Sequence, residues 1–116
     1  MDDKGPQISA VDVAAYKIPT DEPESDGTFE WDSTTLVVVH LTVGHARALG
    51  YTYADAAAAH LIAGKLAGLI DGCDPMWLAA AHQNMVAAVR NLGRPGVAAA
   101  AISAIDIALW DLKARL

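Results

Sequence analysis

The chain has 116 residues, with 14 Asp and Glu against 8 Lys and Arg, and 53% of it is hydrophobic, much of that alanine. This length suits one domain around a single core. A net charge of −6 with singly scattered cations argues against a nucleic-acid surface, and no apolar run approaches the roughly 20 residues of a membrane-spanning helix. The start, residues 1–4, is acidic and polar, unlike the basic and then apolar opening of a secretion signal. Cys73 is the single cysteine and has no internal disulfide partner, which fits a reducing compartment. A cytoplasmic protein is therefore the expectation.

Residues 8–18 read as a first strand, with Val11, Val13 and Ala15 on one face by period-two alternation and Pro19 ending it. Residues 34–43 form a better strand, dense in β-branched side chains, with Val37, Val39, Leu41 and Val43 on one face. Gly44 and His45 supply a turn, and residues 47–53 read as a third strand returning antiparallel. A three-stranded meander cannot hide its apolar face alone, so helices must pack on it.

Three helices follow. Thr52 or Asp55 can cap the first, whose apolar side holds Leu61, Ile62, Leu66, Leu69 and Ile70 and which ends near Gly72. Asp74 followed by Pro75 opens the second, with the stripe Trp77, Leu78, Ala81, Met85, Val89 and Leu92, closed by Gly93. Pro95 starts the third, in which the alanines from Ala98 to Ala101 give a smooth flank for close packing. Its apolar stripe is still running at Leu116, in phase with Leu109 and Leu112, and no Gly, Asn or Pro closes it. This helix reads as cut from a longer protein. Strands first and helices after make an α+β fold: a three-stranded antiparallel meander packed against three helices.

Residues 19–33 stand apart. They hold six acidic residues (Asp21, Glu22, Glu24, Asp26, Glu30 and Asp32), no basic one, and the aromatics Phe29 and Trp31. A connection so much longer than the about 2–5 residues of an ordinary hairpin loop reads as an acidic lid loop. Other constellations fail. His40, His45, His60 and His82 lie on separate elements without metal-ligand spacing. Ser103 lacks the glycines of a nucleophile elbow, and Cys73 has no adjacent base. Asp106 and Asp111 sit about 140° apart on a helix, which suits caps or ion pairs with neighbours rather than a shared carboxylate site. No catalytic residue and no metal site is read within these residues.

The segment Ser103-Ala-Ile-Asp-Ile-Ala-Leu-Trp-Asp-Leu-Lys-Ala-Arg115 resembles the helix that joins the N-terminal capping domain of the enolase superfamily to its barrel, closest to the mandelate racemase and muconate lactonizing enzyme group. The segments Asp26-Gly27-Thr28, Trp31-Asp32-Ser33-Thr34-Thr35-Leu36, Gly50-Tyr51-Thr52-Tyr53-Ala54 and Arg90-Asn91-Leu92-Gly93-Arg94-Pro95-Gly96 are similar to that group too. One departure is the approach to the third strand, often glycine-rich in relatives and here His45-Ala46-Arg47-Ala48-Leu49. An alanine forced into the left-handed region there would be strained.

The resemblance implies a capping domain over residues 1–102, with its lid loop at 19–33, and a helix over 103–116 leading to a barrel absent from this stretch. It implies a lyase or isomerase that takes a proton from the carbon next to a carboxylate, with magnesium and the base belonging to the barrel. The substrate would be a small carboxylate, with a sugar acid favoured by the polar lid and the tyrosines. The full-length enzyme would be a homo-oligomer, and the capping domain alone inactive. The residues the resemblance sets near the substrate are Thr20, Asp21, Trp31, Tyr51 and Tyr53. Tyr51 and Tyr53 also suit half-buried strand aromatics, and Trp31 suits a loop anchor better than a ligand contact. Carboxylates aimed at an anionic substrate would repel it, so most lid acids are expected to face solvent. A non-enzymatic interaction module and one chain of a split enzyme remain the alternatives.

Overall fold

The computed structural model describes residues 5–116, so the acidic start at residues 1–4 lies outside the described residues. Strands β1 (Ala10–Ser25), β2 (Glu30–Val43) and β3 (Ala46–Tyr53) form one antiparallel sheet in the order β1-β2-β3. The β-branched face of β2 is buried as its alternation requires: Val37, Val39, Leu41 and Val43 all enter the core. Val11 and Val13 on β1 pack against it half-buried, but Ala15 on the same edge strand is exposed. The β2–β3 connection is the expected two-residue turn, with Gly44 at φ 57°. No described non-glycine residue has a positive φ, so the approach through Ala46 and Ala48 is unstrained.

The loop expected over 19–33 is instead a long hairpin. Pro19 does not end β1: it pairs with Ser33, and pairing resumes at Glu24 with Trp31. Between those pairs β1 advances five residues while β2 advances two, so β1 bulges outward there. Proline is tolerated because β1 is an edge strand, where a missing N–H need cost no ladder bond. The turn itself is short. Asp26 Oδ1 accepts from the Thr28 and Phe29 amides, both at 2.8 Å, and Gly27 supplies φ 90°.

Helical rods cover one face of the sheet. The first is unbroken: α1 (Ala57–Leu61), a π turn (Ile62–Leu66) and α2 (Ala67–Ile70). Its buried residues Ala58, Ile62, Leu66 and Ile70 fall four apart, a spacing that the wider π turn helps hold on one line. Asp55 caps the start, Oδ2 accepting from the Ala57 amide at 2.8 Å. Asp74 caps a turn rather than a helix, accepting from Met76 at 2.9 Å, and α3 (Leu78–Ala88) begins only after it. Leu78, Ala81, Met85 and Val89 are buried, whereas Trp77 and Leu92, at the two ends of the expected stripe, lie outside the helix and are exposed. Helix α4 (Val97–Arg115) starts after Gly96 rather than at Pro95. Its buried stripe includes Ile102, Ile105, Leu109 and Leu112, while Trp110 and Leu116 face outward.

Alanines on α4 bring it against the sheet backbone at β3. A Cβ added at Gly50 would overlap the Ala104 carbonyl oxygen and stand 2.6 Å from the Ala108 nitrogen. No side chain fits, and the core around this seat contains no buried polar residue. Gly50→Ala is expected to destabilise the chain by about 3 kcal/mol through overpacking, read as a lower urea midpoint with an unchanged slope.

Candidate functional site

Antiparallel pairing brings the C-terminal end of β3, the outer half of β1 and the start of β2 to one end of the sheet. All five residues named from the sequence lie at that end. Ala48 and Gly50 face the helices, so alternation turns Leu49, Tyr51 and Tyr53 to the opposite, open face. The phenol rings of Tyr51 and Tyr53 meet edge to face, with centroids 6.2 Å apart and an interplanar angle of 83°. Each is about half or more exposed, at 49% and 65%.

Tyr16 belongs to the same surface and escaped the sequence reading. It pairs with Leu36, which in turn pairs with Tyr53, so Tyr16, Leu36 and Tyr53 form one row across the open face. Position 16 is out of phase with Val11 and Val13, which was a usable signal for its face. Its partner was not readable without the register.

Thr20 and Asp21 lie in the bulge of β1. Thr20 Oγ1 donates to the Glu22 carbonyl at 2.7 Å, bracing the bulge locally, and Asp21 is exposed. The Pro19–Ser33 pair sits three residues beyond the Tyr53 row, about 10 Å along the strand, so the bulge shares the end of the sheet with the tyrosines without joining their pair. Trp31 acts within the hairpin: its Nε1 donates to Glu24 Oε2 at 3.0 Å across the two strands. The six acids of this segment are all exposed. Two already have local tasks, Glu24 holding Trp31 and Asp26 capping the turn.

A further carboxylate stands at the other edge of the sheet. Asp111 Oδ2 accepts from the Leu49 amide and from Arg115 Nε, each at 2.9 Å. The Leu49 amide first, and then Arg115, hold its carboxyl below the usual carboxylate range; the Phe29 and Thr28 amides do the same for Asp26. His82 and Asp106 form a looser pair between α3 and α4, at 3.8 Å. Cys73 Sγ rests on the Leu69 carbonyl at 3.1 Å. Among the described residues no three His, Cys, Asp or Glu side chains are placed to hold a metal ion. No described helix is long and apolar enough to cross a membrane.

An open meander with an extended first hairpin, covered on one face by helices and lacking a barrel, defines the N-terminal domain class of the enolase superfamily. The chain belongs to the mandelate racemase / muconate lactonizing enzyme family, whose N-terminal domain matches residues 10–116. It is 36% identical over 112 residues to the 3,6-anhydro-alpha-L-galactonate cycloisomerase of Streptomyces coelicolor, covering 91% of this chain and 31% of that protein. Its fold is similar to that of a mandelate racemase/muconate lactonizing enzyme-like protein from Rubrobacter xylanophilus, at 52% identity and a TM-score of 0.90, covering 95% of this chain and 31% of that one. It is also similar to the L-talarate dehydratase of a Polaromonas species, solved with Mg and L-glucarate, at 26% identity and a TM-score of 0.83, covering 96% of this chain and 32% of that one. The chain thus spans about a third of the length of the relatives it matches.

Lowered carboxyl pKa values give the pH dependence its sign. The charged forms of Asp26 and Asp111 are favoured in the fold, so their contribution is present above the ordinary carboxylate pKa and is lost as pH falls through the lowered folded values. Acid titration followed by NMR should therefore release the Thr28 and Phe29 amides with Asp26 and the Leu49 amide with Asp111, each only below the ordinary carboxylate range. Asp26→Ala, which removes the acceptor, should loosen the first two at neutral pH and leave Leu49 protected.

Proposed function

We propose that these residues form the capping domain of a longer, magnesium-dependent enzyme that removes a proton next to the carboxylate of a sugar acid, acting as a cycloisomerase, dehydratase or racemase. The observation that carries this reading is the 36% identity, along nearly the whole chain, to a cycloisomerase of a sugar acid. Residues 1–102 would be the cap and residues 103–116 the helix that leads into a (β/α) barrel. Base and metal would belong to that barrel, since the cap offers no metal site among its described residues.

The cap's own work is then exclusion of water and contact with the distal part of the substrate. Tyr51 and Tyr53 supply hydroxyls that donate to or accept from sugar hydroxyls. Their rings form an apolar wall beside Leu36 and Tyr16. The hairpin carrying Thr20, Asp21 and Trp31 closes the same end. Its acids face solvent, and their mutual exposure reduces the repulsion an anionic substrate would meet.

The full-length enzyme, given Mg²⁺ with 3,6-anhydro-alpha-L-galactonate or L-glucarate, should turn over one of them. EDTA should abolish the reaction and added Mg²⁺ restore it. Residues 1–116 alone should show none. Turnover that ignores EDTA, or that survives in the isolated segment, would sink the proposal. Tyr51→Phe and Tyr53→Phe should each raise KM about fivefold with kcat nearly unchanged, the effect of losing a hydrogen bond worth ~1 kcal/mol. The hairpin has a separate test: Trp31→Ala should raise KM for the same substrate and leave the unfolding midpoint nearly unchanged.

A further inference from the structure

Edge strand β3 has a row of backbone groups turned away from the sheet. The Ala54 amide donates to Thr35 on β2 at 3.2 Å, and N–H directions alternate along an antiparallel strand. The amides of Tyr53, Tyr51 and Leu49 therefore point outward from β2. Leu49 is the one that α4 answers, 62 residues away in the chain, through Asp111. The same carboxylate oxygen holds Arg115, so the bond is charge-assisted and its acceptor is held in place from one turn further along the helix.

What this bond adds is direction. At Gly50, Ala104 and Ala108, small groups set how closely α4 and β3 approach, but smooth alanine surfaces do not fix where the helix stops along the strand. Sliding by one helical turn would be a shift of about 5.4 Å. A hydrogen bond to a single backbone amide, one residue from the Gly50 seat, specifies that position. Tyr51 follows Leu49 by two residues, about 7 Å along the strand and on the same face.

We propose that Asp111 is a positioning residue: by latching the Leu49 amide to α4 it fixes where the Tyr51 and Tyr53 phenols stand relative to the helix that leads to the catalytic half of the enzyme. This rests on the reading of those tyrosines as substrate contacts. Asp111 touches neither substrate nor metal.

The test uses the full-length enzyme with Mg²⁺ and whichever of 3,6-anhydro-alpha-L-galactonate and L-glucarate it turns over. Asp111→Ala should raise KM about tenfold with kcat changed less than threefold, and should speed exchange of the Leu49 amide at least tenfold. Asp111→Asn keeps an acceptor oxygen of the same reach and should bring KM back to within about threefold of wild type. Arg115→Ala, which leaves the acceptor but removes what holds it, should raise KM by less than Asp111→Ala does. If Asp111→Ala does not fold, Asp111→Glu replaces it: the carboxylate overshoots Leu49, so KM should rise while the melting temperature holds. An unchanged KM alongside fast Leu49 exchange, or Asp111→Asn behaving like Asp111→Ala, overturns the proposal and leaves a purely structural bond. If Tyr51→Phe and Tyr53→Phe leave KM unchanged, the substrate reading itself fails and the positioning role falls with it, a result distinguishable because the tyrosine variants alone decide it.

Discussion

A strand backbone pressed directly against a helix backbone organises this domain. At Gly50 the missing Cβ lets α4 settle onto β3 through Ala104 and Ala108, where even a methyl group would collide. That approach seals the face carrying Val39, Leu41 and Ala48, and with no buried polar side chain among the described residues to specify geometry, shape does most of the specifying. The first rod then covers the far side of the sheet, along β1 and β2, and α3 packs outside it, on α4 and that rod. A fold held this way is thin and tolerates little change in volume at its centre.

Helices on one face leave the other open, and the candidate site lies on that open face. The tyrosine row faces solvent because period-two alternation commits the neighbouring positions, Ala48 and Gly50, to the helix seat. Packing on one face and the proposed substrate contacts on the other are thus two readings of the same strand. Only one end of that strand lies toward the outer part of the first hairpin, and the candidate site lies there.

Local chemistry was legible in the sequence and pairing was not. The buried face of β2, the Gly44–His45 turn and the shared face of Tyr51 and Tyr53 follow from alternation and turn residues alone, and Asp55 is one of the two caps they offer. Pro19 misled because proline ends a central strand but not an edge strand, and sheet order is invisible locally. The Asp74–Pro75 signal marked a real cap but of a turn, so α3 starts at Leu78 and leaves Trp77 exposed. Tyr16 beside Tyr53 needs register, and Asp111 beside Leu49 joins residues too far apart in the chain for any spacing rule. The terminal helix carries the family resemblance, but its spacing alone gives Asp111, the Leu49 acceptor, only a cap or an ion pair with a neighbour.

The bulge after Pro19 has a bearing on how such a domain diversifies. Residues 20–23 of β1 stand unpaired opposite the single Asp32 of β2, and this excess of three separates the register of the inner sheet from that of the hairpin tip. Substitutions or length changes beyond the bulge therefore need not shift Val11 or Val13 relative to Val39 and Leu41, and the tip keeps its own turn through Asp26 and its own cross-strand tie through Trp31. Natural variation can rework the outer hairpin while the inner sheet folds as before.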